Sequence, residues 1–312
     1  MNKQTFDVKS LIKEQTTVQK WKRKSEQFIP ALLFLLASIS VCTTVGIVYI
    51  LFSESIHFFK EVSIFEFFTS SHLKPLSAEP AFGVLPLLVG TLTATLIALV
   101  VAIPIGLMSA IYLSEYAPQK LRKTLKPILE ILAGIPTIVY GFFAFTFVTP
   151  LLKTFIPQLE ATNILSPGIV MGIMIIPMIA SLSEDAMTSV PNAMREGALA
   201  MGATKLEVTL KIVIPGALSG IVASIVLATS RAIGETMIVT IASGSTKNLT
   251  FDVTQSMQTM TAYIVEVTGG DAPAGSTIYY SLYAVALTLF CFTLLMNLLA
   301  NYMSNKWKAQ YE

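Results

Sequence analysis

Residues 196–215 read EGALAMGATKLEVTLKIVIP and lie between two long apolar stretches, 166–184 and 218–242. Residues 192–201 are strong helix formers, Gly202 suits a helix end or close turn, and residues 204–213 form a second helix ahead of Pro215. The reading is a short helix, a break and a second helix, projecting from a membrane. Met194, Ala198 and Met201 fall at helical spacing and give the first arm an adaptable apolar knob on which a rigid partner could dock. An ordinary amphipathic loop between spans would share that rhythm.

The flanks belong to a membrane protein. Hydrophobic residues make up 54% of the 312, charged residues only 13%, and mean hydropathy is +0.69, which excludes a soluble two-domain protein of this length. A helix needs roughly 20 apolar residues to cross the hydrocarbon layer. Spans are therefore expected at 28–52, 82–113, 126–152, 166–184, 218–242 and 278–303. The second is too long for one straight crossing, and Pro104 is expected to kink it or mark a partly exposed end.

Basic residues set the orientation. Seven Lys and Arg precede the first span, four fall in 114–126, three in 185–217 and two at the C-terminus, while the opposite loops carry Lys60, Lys74, Lys153 and Lys247. By the positive-inside tendency both termini and the 196–215 loop face the cytoplasm. A net charge of +2 gives no reason to expect nucleic-acid binding, and the tail Lys3 to Lys24 reads as an orientation signal near anionic lipid. The first apolar stretch is too long for a signal-peptide core and is expected to stay in the membrane. Cys42 and Cys291 read as small packing residues within spans, and His57 and His72 as interfacial polar positions; no spacing of Cys or His suggests a metal site.

Residues 53–81 contain Phe58, Phe59, Phe65, Phe67 and Phe68 and are expected along the outer interface, where aromatic rings are comfortable. In the external segment 243–277, Val253, Met257, Met260, Ile264 and Val267 would share one helical face, either resting on the protein or bilayer or serving an external partner. Gly168 with Gly172, and Gly216 with Gly220, are placed for close helix packing. Gly134, Pro136 and Gly141, and likewise Pro177, are expected to break helices inside the membrane, where broken helices line cavities or shared interfaces.

Arg231 sits near the middle of 218–242, where an uncompensated Arg costs roughly 2.5–3.5 kcal/mol on insertion scales. Glu235, four residues on, can meet it on the same helical face, and a self-neutralising structural pair is one reading. The other is an anion site, because the guanidinium donates two parallel hydrogen bonds to an oxyanion and keeps its charge. Glu235 would then restrain the arginine, or accept a hydrogen bond from a protonated phosphate oxygen, which sulfate lacks at neutral pH. Small Ala228 and Gly234 leave room beside the pair. Thr229, Ser230, Thr236 and Thr240 could line the path, although such hydroxyls often bond their own backbone.

The order Glu196-Gly197-Ala198, three residues, Gly202, nine residues, then Ile212 and Pro215 resembles the cytoplasmic coupling loop of ABC-transporter permeases, with Gly197 and Ile214 as departures. AGIPTIVYG (133–141), GIMIIPMIA (172–180) and RAIGETMIVT (231–240) extend the resemblance to phosphate-specific permeases of the PstC type over roughly 80–303. The resemblance implies an all-α polytopic fold of six transmembrane helices. Its core would be a MetI-like type I importer permease (82–304, coupling loop 191–216), preceded by a cytoplasmic tail (1–27) and an extra helix with an interfacial segment (28–81). It also implies a PstA-type sister permease, two PstB-type ATPase subunits that bind ATP and Mg, and a PstS-type external phosphate-binding protein, in the bacterial plasma membrane. This chain itself would hold no cofactor: Gly197 and Gly202 have the P-loop gap, but Ala203-Thr204 stands where Lys-Ser/Thr is required. Sulfate, molybdate and an ion-coupled secondary anion transporter stay open as alternatives.

Overall fold

The computed structural model describes the backbone of residues 8–75, 77, 80–270 and 272–308, and the side chains of those among them from Phe28 to Leu299 together with Tyr302. The chain divides into two compact units, Met1–Ser53 and Glu54–Glu312. Helix α1 (Val8–Glu61) carries an apolar run, Phe28–Glu61, of 34 residues, so the first expected span continues past residue 52.

In the second unit, α3 (Leu85–Tyr116), α6 (Leu165–Thr188) and the Thr277–Leu299 part of α12 (Thr277–Lys308) are each long and apolar enough to cross a membrane. With α1 that makes four candidate spans among the described residues, or six if each of two bent helix pairs is one span. The first pair carries the break expected at Gly134 and Pro136 within the span 126–152. Helix α4 (Gln119–Ala133) meets α5 (Thr137–Lys153) at 83°. The sequence Gly134-Ile135-Pro136 makes the corner, since proline restricts the residue before it and cannot donate to a continuing helix. The Tyr140 hydroxyl locks it by donating to the Leu132 carbonyl at 2.9 Å. Helix α4 buries no residue and carries Lys120, Arg122, Lys123 and Lys126.

The second pair is α8 (Lys205–Gly216) and α9 (Leu218–Ile233), bent by 68°. Helix α9 stops at Ile233, and after Gly234-Glu235-Thr236 a new short helix, α10 (Met237–Ala242), begins. The expected straight span 218–242 is therefore broken. Pro104 and Pro177, by contrast, are accommodated inside α3 and α6.

The bundle is held by close helix contacts. A Cβ on Gly168 would stand 2.8 Å from the Ile97 Cβ, one on Gly172 2.8 Å from the Val101 Cβ, and one on Gly106 2.9 Å from the Ile179 Cβ. These glycines let α3 and α6 touch, as small residues do between membrane helices. The Ser183 and Ser224 hydroxyls meet at 2.8 Å in the buried contact of α6 with α9.

On the expected outer side, α2 (Ile64–Thr69) and the antiparallel pair β1 (Leu73–Lys74) and β2 (Ala81–Phe82) cover an aromatic core. Phe58 lies edge-on to Phe67 and Phe82, with centroids 5.5 Å apart in both cases. Phe58 and Phe67 are thus buried, and only Phe65 and Phe68 keep the exposed place expected for this segment. The long external helix is also corrected: α11 spans Met260–Gly269, whereas Val253 and Met257 lie in irregular chain and pack inward. That spacing of four and three reflects burial on an irregular path. Cys42 and Cys291 are exposed and not packing residues of a core. His57 stacks on Tyr280 at 5.4 Å.

Candidate functional site: a broken helix and a two-armed loop

Arg231 stands in the last turn of α9, and Glu235 follows the helix end at Gly234. The expected ion pair does not form. Continuing α9 through Gly234 would have stacked the two residues; the break instead turns the buried Glu235 carboxylate onto the start of α10. There its Oε1 accepts the N–H groups of Met237 at 3.1 Å and Ile238 at 3.2 Å. These are orphan donors that a helix start must satisfy. The second oxygen, Oε2, has no hydrogen-bond partner among the described residues. The Glu235 carbonyl accepts the Thr261 hydroxyl at 2.7 Å, tying the break to α11.

Arg231 is exposed and makes no hydrogen bond or ion pair among the described residues. The two breaks are neighbours: a Cβ on Gly141 would meet the Met237 carbonyl at 3.1 Å and the Ile238 Cα at 3.2 Å. Thr236 and Thr240 are half-buried and bond backbone carbonyls, Gly234 at 3.2 Å and Thr236 at 2.7 Å, so their acceptor lone pairs are what the path could use. Ser230 donates to the Asn297 side-chain oxygen of α12. Sequence reasoning did not single out Asn297; an amide inside the apolar part of this helix was the signal available.

The loop 191–216 has the expected two arms. Helix α7 (Asn192–Ala200) holds Glu196, Gly197 and Ala198; Gly202 turns the chain at φ +89°, and α8 begins with a capping box. In that box Glu207 Oε2 accepts the Thr204 N–H at 2.9 Å. The bond holds the Glu207 carboxyl below the usual range, helped by the Thr204 hydroxyl and Lys211. Helix α8 does not stop before Pro215: a π-turn over Thr209–Val213 widens the ladder, and the helix runs to Gly216 with Ile212 and Pro215 half-buried. The knob is also revised. Met194 and Met201 are exposed as expected, joined by Leu199 and Leu206, but Ala198 packs inward on a core containing Val208 and Val213.

Beneath the loop lie charged braces that sequence reasoning passed over. Glu184, 1% exposed, is paired with Arg122 and, at 3.0 Å, with Lys126, which also meets Asp185 at 2.6 Å. Charges at expected span ends were the available signal.

The chain matches the family described as "Binding-protein-dependent transport system inner membrane component" over residues 102–309. It is 33% identical over 280 residues to "Probable ABC transporter permease protein YqgH" of Bacillus subtilis, covering 89% of this chain and 88% of that protein. It is 33% identical over 259 residues to "Phosphate transport system permease protein PstC" of Mesorhizobium japonicum, covering 77% and 78%. Among solved structures, a bacterial alginate ABC transporter in complex with an alginate-bound periplasmic protein matches with TM-score 0.60 at 16% identity, over 88% of this chain and 94% of the other. An inward-facing MetNI methionine transporter matches with TM-score 0.54 at 18% identity, over 70% and 93%. The last two likenesses carry the fold alone.

Proposed function

The chain belongs to the family of binding-protein-dependent transport system inner membrane components, and on that premise we propose that it is the permease subunit of an ATP-driven importer of inorganic phosphate. It is a membrane-spanning component and not itself the catalyst. Phosphate is favoured by the likeness to relatives named for phosphate transport. The observation that carries the mechanism is Arg231, a guanidinium without a protein counter-ion among the described residues, at a helix break. A bidentate Arg contact suits a tetrahedral oxyanion, and the free Glu235 Oε2 can accept a hydrogen bond from the protonated oxygen that phosphate still carries at neutral pH. Thr236 and Thr240 complete the proposed path.

The proposed assembly adds a PstA-type sister permease, two PstB-type subunits that bind ATP and Mg, and a PstS-type binding protein outside. Both termini and the loop 191–216 face the cytoplasm of the bacterial inner membrane; 1–27 is a tail, 28–81 an added helix with its external segment, and 82–304 the permease domain. Glu196, Gly197, Ala198, Gly202, Ile212 and Pro215 form or support the ATPase-docking loop. ATP draws the ATPase subunits together, the loop follows, and the bundle alternates between outward and inward access because each ligand binds one arrangement better.

Competition in vesicles reconstituted with the complete complex tests the substrate. Phosphate uptake should require ATP, persist with an uncoupler, and resist a large excess of sulfate or molybdate. Equal competition by sulfate would assign a general oxyanion permease. Loss of uptake with the uncoupler while ATP is maintained would assign an ion-coupled transporter.

A further inference from the structure

We propose that the cytoplasmic end of α3, Glu115 with Tyr116, receives the movement of the docking loop, and that Arg195 and Lys205 are the positioning residues that deliver it. The inference rests on the reading of 191–216 as the ATPase-docking loop.

Glu115 and Tyr116 are neighbours in the π-turn Tyr112–Tyr116 that ends α3. Each is held by a different arm of the loop. From the first arm, the Arg195 Nη2 donates to Glu115 Oε1 at 3.1 Å; from the second, the Lys205 ammonium sits 4.9 Å from the centroid of the Tyr116 ring. The ion pair is shielded, with side chains 15% and 7% exposed, and Ser114 also donates to Glu115 at 2.9 Å. A pair so shielded is costly to break one partner at a time.

Arg195 is more than a tether to α3. The same guanidinium donates to the Met187 carbonyl at 2.6 Å, to the Val190 carbonyl and to Asn192 Oδ1 at 3.2 Å, closing the end of α6. The ends of α3 and α6 thus share one hub on the loop. Above it the two helices interlock at Gly106, Gly168 and Gly172, so a displacement of one end is carried by both as a body. The covalent route runs through α8 into α9 across a 68° bend, a weaker lever for a push along the loop.

The test uses the reconstituted complex with all partner subunits. Glu115→Gln should lower maximal phosphate uptake several-fold while the phosphate concentration for half-maximal uptake and the ATPase rate stay unchanged. Adding Tyr116→Leu should lower uptake further. In a background with Cys42 and Cys291 replaced by Ser, Glu115→Cys with Arg195→Cys should lose uptake and regain it when joined by a short bis-maleimide. Unchanged uptake in Glu115→Gln with Tyr116→Leu, equal loss of ATPase and uptake, or block by the bis-maleimide would overturn the proposal. Gly202→Trp is the control: if it uncouples ATPase from uptake and the Glu115 and Tyr116 changes do not, the docking loop stands and α3 is not its receiver. If neither uncouples, the docking reading and this inference fall together.

Discussion

Arg231 and Glu235 lie on opposite sides of the Gly234 break, and Glu235 caps α10 at the Met237 and Ile238 N–H groups while Arg231 makes no ion pair among the described residues. The two charges are separated by architecture and not stacked along one helix. One oxygen of Glu235 maintains the broken helix, and the other makes no hydrogen bond among the described residues. Removing the carboxylate therefore has two separable effects.

Glu235→Gln keeps an acceptor for the cap but replaces the free oxygen with a donor. Thermal stability should stay near the parent while phosphate uptake falls; uptake at the parental rate would remove Glu235 from phosphate recognition. Glu235→Ala should lose the cap as well, costing about 1 kcal/mol, read from the unfolding midpoint in detergent.

Glu196→Lys and Gly202→Trp place charge and bulk on the exposed loop. Gly202 has φ +89°, and nothing stands within 4 Å of the place a Cβ would occupy. Space therefore tolerates a side chain, and the strain, roughly 1–2 kcal/mol, is in the backbone. Both changes should uncouple ATP hydrolysis from uptake with membrane insertion intact. Unchanged coupling would count against the docking role.

The capping box gives the loop a pH dependence. The folded Glu207 pKa is lowered, chiefly by the Thr204 N–H. Its contribution is therefore complete above the unfolded carboxyl range and lost as pH falls through the lowered folded value. Amide exchange of Lys205–Val208, corrected for intrinsic rates, should lose protection over that acidic interval in the parent and show no such step in Glu207→Gln.

Gly172→Leu tests the helix contact. Its Cβ would lie 2.8 Å from the Val101 Cβ and 2.9 Å from the Ala98 carbonyl, and overpacking of this kind costs about 1–3 kcal/mol. Unfolding in detergent should shift accordingly, whereas Gly197→Leu, with nothing within 4 Å, should not shift it by this route.

The loop was legible because its signals are local: Gly202 does take a positive φ, and helix formers precede it. The membrane class was legible in composition. The corner at Gly134–Pro136 was expected as a break, but its 83° turn was not, because the apolar run 126–152 hides the charged, unburied start of α4. Helical periodicity misled twice in the same way. It carried α9 through Gly234 to pair Arg231 with Glu235, and it joined Val253 and Met257 to α11, where burial by distant chain imitates a helical stripe. Arg195 and Glu115 are 80 residues apart, so their pairing had no local signature.

The most direct measurement is ATP-driven uptake of labelled phosphate by reconstituted complexes carrying Arg231→Gln, with ATPase activity recorded in the same vesicles. Losing a charge-assisted bidentate contact of about 1.5–3 kcal/mol should reduce uptake roughly ten- to a hundred-fold while ATP hydrolysis continues. Uptake at the parental rate and affinity would contradict Arg231 as the anion site and, with it, the proposed path through the helix break.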